Sequence, residues 1–199
     1  MPRSSSDLLP HRNATLAGLA LFVAAIITLL AMGRPAICPC GFVRLWAGQV
    51  QSPENSQQLT DWYSFSHMIH GMLFYGAAHV LWRGVGFGRI APAAWALPVA
   101  VLFEAAWELL ENSPIIIDRY RAVTISWGYS GDSVLNSASD IAMMTIGFLI
   151  AARLPVWATV ALALSFELFT LIMIRDNLAL NLLMLGWPVD AVRKWQAGV

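Results

Sequence analysis

Charge is what this sequence has least of: only 12% of its 199 residues are Asp, Glu, Lys or Arg, and they balance to a net charge of zero. No block of Lys and Arg exists, so the electrostatic footprint of a nucleic-acid binder is absent and nucleic acid is excluded as a partner. Cysteine is almost as scarce. Cys38 and Cys40 flank Pro39 and cannot form a disulfide framework. Residues two apart bridge only with strain, so the expectation is a pair of idle thiols in a loop turn, with soft-metal binding as the alternative. No internal repeat or low-complexity tract is present, and the chain reads as one domain over 1–199.

What the sequence has in abundance is apolar surface. At 58% hydrophobic residues and a mean hydropathy of +0.62, it is too apolar for an ordinary soluble domain. The expected fold is an all-α, polytopic integral membrane protein. Five spans are predicted, at about 14–32, 65–82, 92–112, 133–152 and 156–174, with an amphipathic helix lying in the interface over about 178–195. The first run is longer than the apolar core of a signal peptide, and no lipobox precedes Cys38, so it reads as an uncleaved anchor. Pro92 suits the first turn of the third span, and Pro98 is expected to kink it. Trp62 and Tyr63 read as interfacial belt residues. A 20-residue loop is expected after Asn112, holding Trp127-Gly128-Tyr129-Ser130-Gly131, with Asp132 or Ser133 capping the fourth span.

Arg3, Arg12, Arg83, Arg89 and Arg153 fall on the side of the N-terminus, in short segments; the other seven basic residues are spread over long ones. Because the positive-inside rule weighs short loops near helix ends, the N-terminus is expected in the cytoplasm of a bacterial inner membrane.

Against this apolar background the polar residues stand out. Glu104, Glu108 and Glu111 recur at i, i+4 and i+7, one stripe of a helix. Each carboxylate near the bilayer centre costs roughly 2.5–3.5 kcal/mol on insertion scales, so such residues face a bundle interior and carry partners. Alternation of the spans brings the start of the second, the end of the third, the start of the fourth and the end of the fifth to one leaflet. There His67 and His70 lie three apart on one face, while Asp132, Asn136 and Asp140 advance by four.

Mixed His and carboxylate ligation suits zinc, iron or manganese. The expected metal ligands are His67, His70, Glu108, Glu111 and Asp132, with Glu108, Glu111 and Asp132 also available for acid/base work. Asn112, Asn136, Asp140 and Glu104 would position them. Arg119, Arg121 and Arg175, on the same side, are candidates to hold an anionic headgroup. Each group also has a plain reading: a histidine at the water interface, an aspartate that only caps, an asparagine that glues helices, arginines in a solvated loop. Glu104 and Glu167 are expected to pair with each other or with histidine, or to be protonated.

Ser66-His67-x-x-His70-Gly71, Trp107-Glu108-x-x-Glu111-Asn112 and Gly131-Asp132-Ser133-x-x-Asn136-Ser137-x-x-Asp140 together resemble a family of bacterial inner-membrane proteins of unknown function, over about Trp46 to Trp195. The order His, Glu, Arg, Asp and Asn is also loosely similar to that of VanZ-like membrane proteins linked to glycopeptide resistance. The spacing departs from theirs and no Lys accompanies Asp61, so neither resemblance implies an activity. The leading expectation is a membrane-embedded, metal-dependent hydrolase or transferase acting on a lipid or lipid-linked phosphate at the outer leaflet. The alternatives are a proton or metal-ion carrier, and a non-catalytic subunit that docks a protein partner through the 33–63 loop.

Overall fold

The computed structural model describes residues 11–126 and 128–198; Arg3 of the charge count and Trp127 of the loop motif lie outside them. The fold is all-α apart from one two-residue parallel pairing, β1 (Trp46–Ala47) with β2 (Thr60–Asp61). The long helices are α1 (Arg12–Ala31), α2 (Ser64–His79), α3 (Ala96–Glu111), α5 (Val134–Ala151) and α6 (Val156–Ile174). Among the described residues, four helical segments are long and apolar enough to cross a membrane: Arg12–Ala31, Ala93–Glu111, Val134–Ala151 and Val156–Ile174. This is the composition of a membrane protein. The α2 helix alone is 16 residues, but it continues without a break into a π-helical turn, Val80–Gly84. At about 1.5 Å per residue the combined rod is comparable with the ~30 Å apolar thickness of a bilayer.

Pro98 does not kink a span. It lies in the first turn of α3, where the short 3-10 turn Ala93–Trp95 gives way to α-helix, and a missing N–H is tolerated there. The stretch expected as a 20-residue loop contains α4 (Pro114–Val123), with Pro114 in its first turn and Ile117, Tyr120 and Val123 buried along one face. The expected single interfacial helix is two, α7 (Leu178–Gly186) and α8 (Asp190–Ala197), divided at Pro188.

The core is built on α2 and α5, the most extensively packed pair, with α3 and α1 against them. A buried cluster including Ala78, Trp82, Ala100, Ile141, Met144 and Phe148 fills the half of the bundle beneath the polar residues. The α6 helix is held more loosely, through Phe65 against Phe166 and Phe169 at ring-centroid distances of 5.1 and 5.6 Å.

The 33–63 segment folds back over the bundle as a cap. The first N–H groups of α5 have no partner within the helix, and the cap supplies several: Val134 donates to the Pro35 carbonyl at 2.8 Å, Leu135 to Ala36 at 3.1 Å and Ser133 to Ser56 at 3.0 Å. Ser133 is the N-cap, its hydroxyl accepting from the Asn136 N–H at 3.1 Å. Trp62 and Tyr63, read as interfacial belt residues, make contacts within the protein. Trp62 is buried and donates to the Gly48 carbonyl at 2.9 Å, and the Tyr63 hydroxyl reaches Asp176 at 3.2 Å. Cys38 and Cys40, expected as free thiols, are joined in a disulfide.

Candidate metal centre

His67 and His70 leave the first turns of α2 one helical step apart, and Glu104 and Glu108 leave α3 toward them. Glu104 is wholly buried and lies between the imidazoles: its carboxylate accepts from Nδ1 of His67 at 2.5 Å and from Nδ1 of His70 at 3.1 Å. A carboxylate that occupies Nδ1 fixes ring orientation and leaves Nε2 as the lone-pair nitrogen, the arrangement that supports metal-binding histidines. Glu104 therefore pairs with histidine rather than with Glu167. Glu167 accepts from the N–H groups of Leu178 at 2.9 Å and Ala179 at 3.1 Å, closing the free end of α7.

Glu108 is the anomaly of the site. It is 0% exposed, and neither carboxylate oxygen has a hydrogen-bond partner among the described residues. The nearest cation-forming atom, Nδ1 of His67, is 3.6 Å from Oε1, beyond hydrogen-bond range. Asp140 of α5, also buried, has Oδ2 3.8 Å from Nε2 of His67 and Oδ1 3.4 Å from the Ser64 hydroxyl. One donor atom from each of His67, Glu108 and Asp140 can be chosen so that all lie within 4.8 Å of one another, and the same holds for His67, His70 and Glu104. A buried carboxylate with both oxygens unsatisfied costs far more than it returns unless a cation or proton compensates it. The donor set fits a divalent ion: hard carboxylate oxygens with borderline imidazole nitrogen suit zinc, iron or manganese.

Asp132 is held differently. Its carboxylate accepts from the Tyr129 hydroxyl at 2.9 Å and the Asn112 side-chain amide N–H at 2.8 Å, while its own main-chain N–H donates to Asn112 Oδ1 at 2.7 Å. Burial pushes its carboxyl up to about 6, and the bonds from Tyr129 and Asn112 pull the other way. Burial likewise raises Asp61, against three N–H bonds from Tyr63, Ser56 and Ser64. Arg34, which the sequence does not single out, grips the turn before α5 by donating to the carbonyls of Ser130 at 2.6 Å and Asp132 at 3.0 Å. Asn136 donates to the Gln58 carbonyl at 2.9 Å and so ties α5 to the cap.

Next to these groups is a cavity of about 40 Å³ whose walls include His67, His70, Glu111, Asp132 and Asp140, with Tyr63, Tyr120 and Tyr129 around them; Glu104 and Glu108 are not among its lining residues. Glu111 is half-buried there, and Trp107, Leu178 and Leu182 give one wall an apolar surface. Arg119, Arg121 and Arg175 do not line it. They donate instead to the carbonyls of Leu185 at 3.0 Å, Tyr129 at 2.5 Å and Trp195 at 3.1 Å, fastening α4, the turn before α5 and α8. The structure thus gathers His67, His70, Glu104, Glu108, Glu111, Asp132 and Asp140 in one place and directs the three arginines elsewhere. Arg34, Gln57 and Gln58, which the sequence does not single out, and Tyr129, noted there only as part of a loop, sit in irregular segments with no periodic signal.

The chain is 67% identical over 198 residues to a UPF0314 protein of Novosphingobium aromaticivorans, covering 100% of both. It is 59% identical to one of Sphingopyxis alaskensis, over 89% of this chain and 94% of that one, and 54% identical to one of Paracoccus denitrificans, over 90% of each. No solved structure matches. With residues 29–198 matched by the family described as "Protein of unknown function (DUF2585)", this membrane protein belongs to DUF2585.

Proposed function

We propose that the protein is a multi-pass enzyme of the bacterial inner membrane, N-terminus in the cytoplasm, that uses a divalent metal to hydrolyse or transfer a lipid or lipid-linked phosphate at the outer leaflet. The observation that carries this is Glu108, sealed from solvent with both oxygens unpartnered beside His67 and Asp140. His67, Glu108 and Asp140 would hold the ion; a bound divalent cation there would supply Lewis acidity and a low-pKa water. Glu104 sets the tautomer of both histidines. Glu111, on the cavity wall with the Tyr120 hydroxyl as a hydrogen-bond partner, is placed to take or return a proton.

A cavity of about 40 Å³ holds an ion and a water or two, not a whole headgroup. The substrate would therefore offer only its phosphate end, its chains lying against Trp107, Leu178 and Leu182. Arg119, Arg121 and Arg175 are left out of this reading: they are not among the cavity's lining residues, and each donates to a main-chain carbonyl, of Leu185, Tyr129 and Trp195. A carrier would need a polar route onward, and the Ala78, Trp82, Met144 and Phe148 cluster occupies that half of the bundle.

The test is phosphate release by purified protein in vesicles containing phosphatidic acid or an isoprenyl diphosphate. Release that needs added zinc, iron or manganese and falls at least tenfold in Glu111→Gln is expected. Metal-loaded protein that releases nothing from either lipid contradicts the assignment.

A further inference from the structure

We propose that Cys38 and Cys40 form a thiol–disulfide exchange site that accepts two electrons from a dithiol on a peptide segment. The bond spans a sequence separation of two. A crosslink that closes so short a loop removes little entropy from the unfolded chain, so it serves poorly as a staple. The two sulfurs are also unequal. Cys38 is 2% exposed and its Sγ accepts the Cys40 N–H at 3.2 Å, whereas Cys40 is exposed and its Sγ accepts a longer side-chain bond, from the Gln58 amide at 3.4 Å. A backbone donor aimed at Cys38 stabilises that sulfur as a departing thiolate, and exposure makes Cys40 the sulfur a nucleophile reaches.

Beside the bond lies a groove of about 560 Å³, within the size range of ligand sites, lined by Gln51, Ser52, Asn55, Gly128, Tyr129 and Ser130 together with both cysteines. Amide side chains and turn backbone are suited to hydrogen-bond an extended peptide. The cap that carries the pair covers the end of the bundle holding the candidate metal centre. In the N-inside orientation it faces the periplasm, an oxidising compartment.

The chemistry balances without a metal. A substrate thiolate attacks Cys40 Sγ, forming a mixed disulfide as the Cys38–Cys40 bond breaks, and Cys38 leaves as a thiolate that takes a proton from water. The second substrate thiolate then attacks the substrate sulfur of the mixed disulfide, closing the substrate's own disulfide and releasing Cys40. The substrate loses two electrons and two protons; the cysteine pair gains both.

Full-length protein purified without reductant is incubated with a peptide carrying Cys-x-x-Cys as the dithiol, then alkylated and weighed intact. The expected result is two alkyl groups on the protein per peptide oxidised, at least tenfold faster than the same peptide reduces a short Cys-Pro-Cys disulfide peptide. With the oxidised Cys-x-x-Cys peptide, Cys38→Ser should form a covalent adduct at least tenfold faster than Cys40→Ser. Two free thiols in the purified protein, a disulfide that exchanges only after unfolding, or a rate no faster than that of the short peptide would each overturn the proposal. Equal trapping by the two variants would overturn the assigned roles of the sulfurs.

Discussion

Gly71 of α2 and Gly147 of α5 each meet the backbone of the other helix with no space for a side chain: a Cβ on Gly71 would lie 1.9 Å from the Met144 carbonyl oxygen, and one on Gly147 would lie 2.0 Å from that of Met68. Small residues are what allow helices within lipid to approach this closely, since no hydrophobic force drives them together. The contact matters beyond packing, because α2 carries His67 and His70 while α5 carries Asp140.

Alanine at either glycine forces the helices apart. Gly71→Ala and Gly147→Ala should each destabilise by about 1–3 kcal/mol, the usual range for overpacking, measured by thermal unfolding in detergent. Gly76→Ala, on the same helix with nothing within 4 Å of a new Cβ, is the control and should fall close to wild type.

Replacing Glu104 by Gln keeps the shape but puts an amide N–H where an oxygen accepted from Nδ1 of His67 and His70. The imidazoles lose their fixed orientation. Metal affinity should fall by about 10–100-fold, as for other residues that orient ligands, while the unfolding midpoint without metal changes much less. An affinity equal to wild type would show that the histidines are not oriented for binding.

Asp176, outside the spans, predicts a pH effect of definite sign. Burial first, opposed by bonds from Asn177, Tyr63 and Gln196, lifts its carboxyl to about 6. The folded protein then binds a proton more readily than the unfolded chain between its ordinary value of 3.8 and about 6, so stability from this group rises as pH falls through 6. Between pH 7 and 5 wild type should gain about 1 kcal/mol relative to Asp176→Asn. A difference independent of pH would contradict it.

The long apolar helices were legible from run length, and the convergence of polar groups from periodicity. Glu104, Glu108 and Glu111 share a stripe whatever else the chain does, and alternation of apolar runs carries His67 and Asp140 to the same end. What depends on long-range docking was not legible. Whether Arg119 faces a headgroup or the Leu185 carbonyl depends on α4 docking on α7, which a local pattern does not encode. The cap is similar: Arg34, Gln57 and Gln58 bind carbonyls and amides more than 70 residues away in sequence. The loss of the expected loop to α4 likewise reflects packing, with Ile117, Tyr120 and Val123 buried along one face, whereas the joining of Cys38 to Cys40 is a local outcome the expectation of free thiols missed.

The most direct measurement is the metal content of protein purified at neutral pH and reloaded with zinc, iron or manganese, for wild type, His67→Ala and Glu108→Gln. The account predicts close to one ion per wild-type chain with at least one of these metals, and a sharp loss of that ion in both variants while each remains folded. Wild-type protein that holds none of them, or a Glu108→Gln variant that binds as tightly as wild type, would contradict a metal centre at this site.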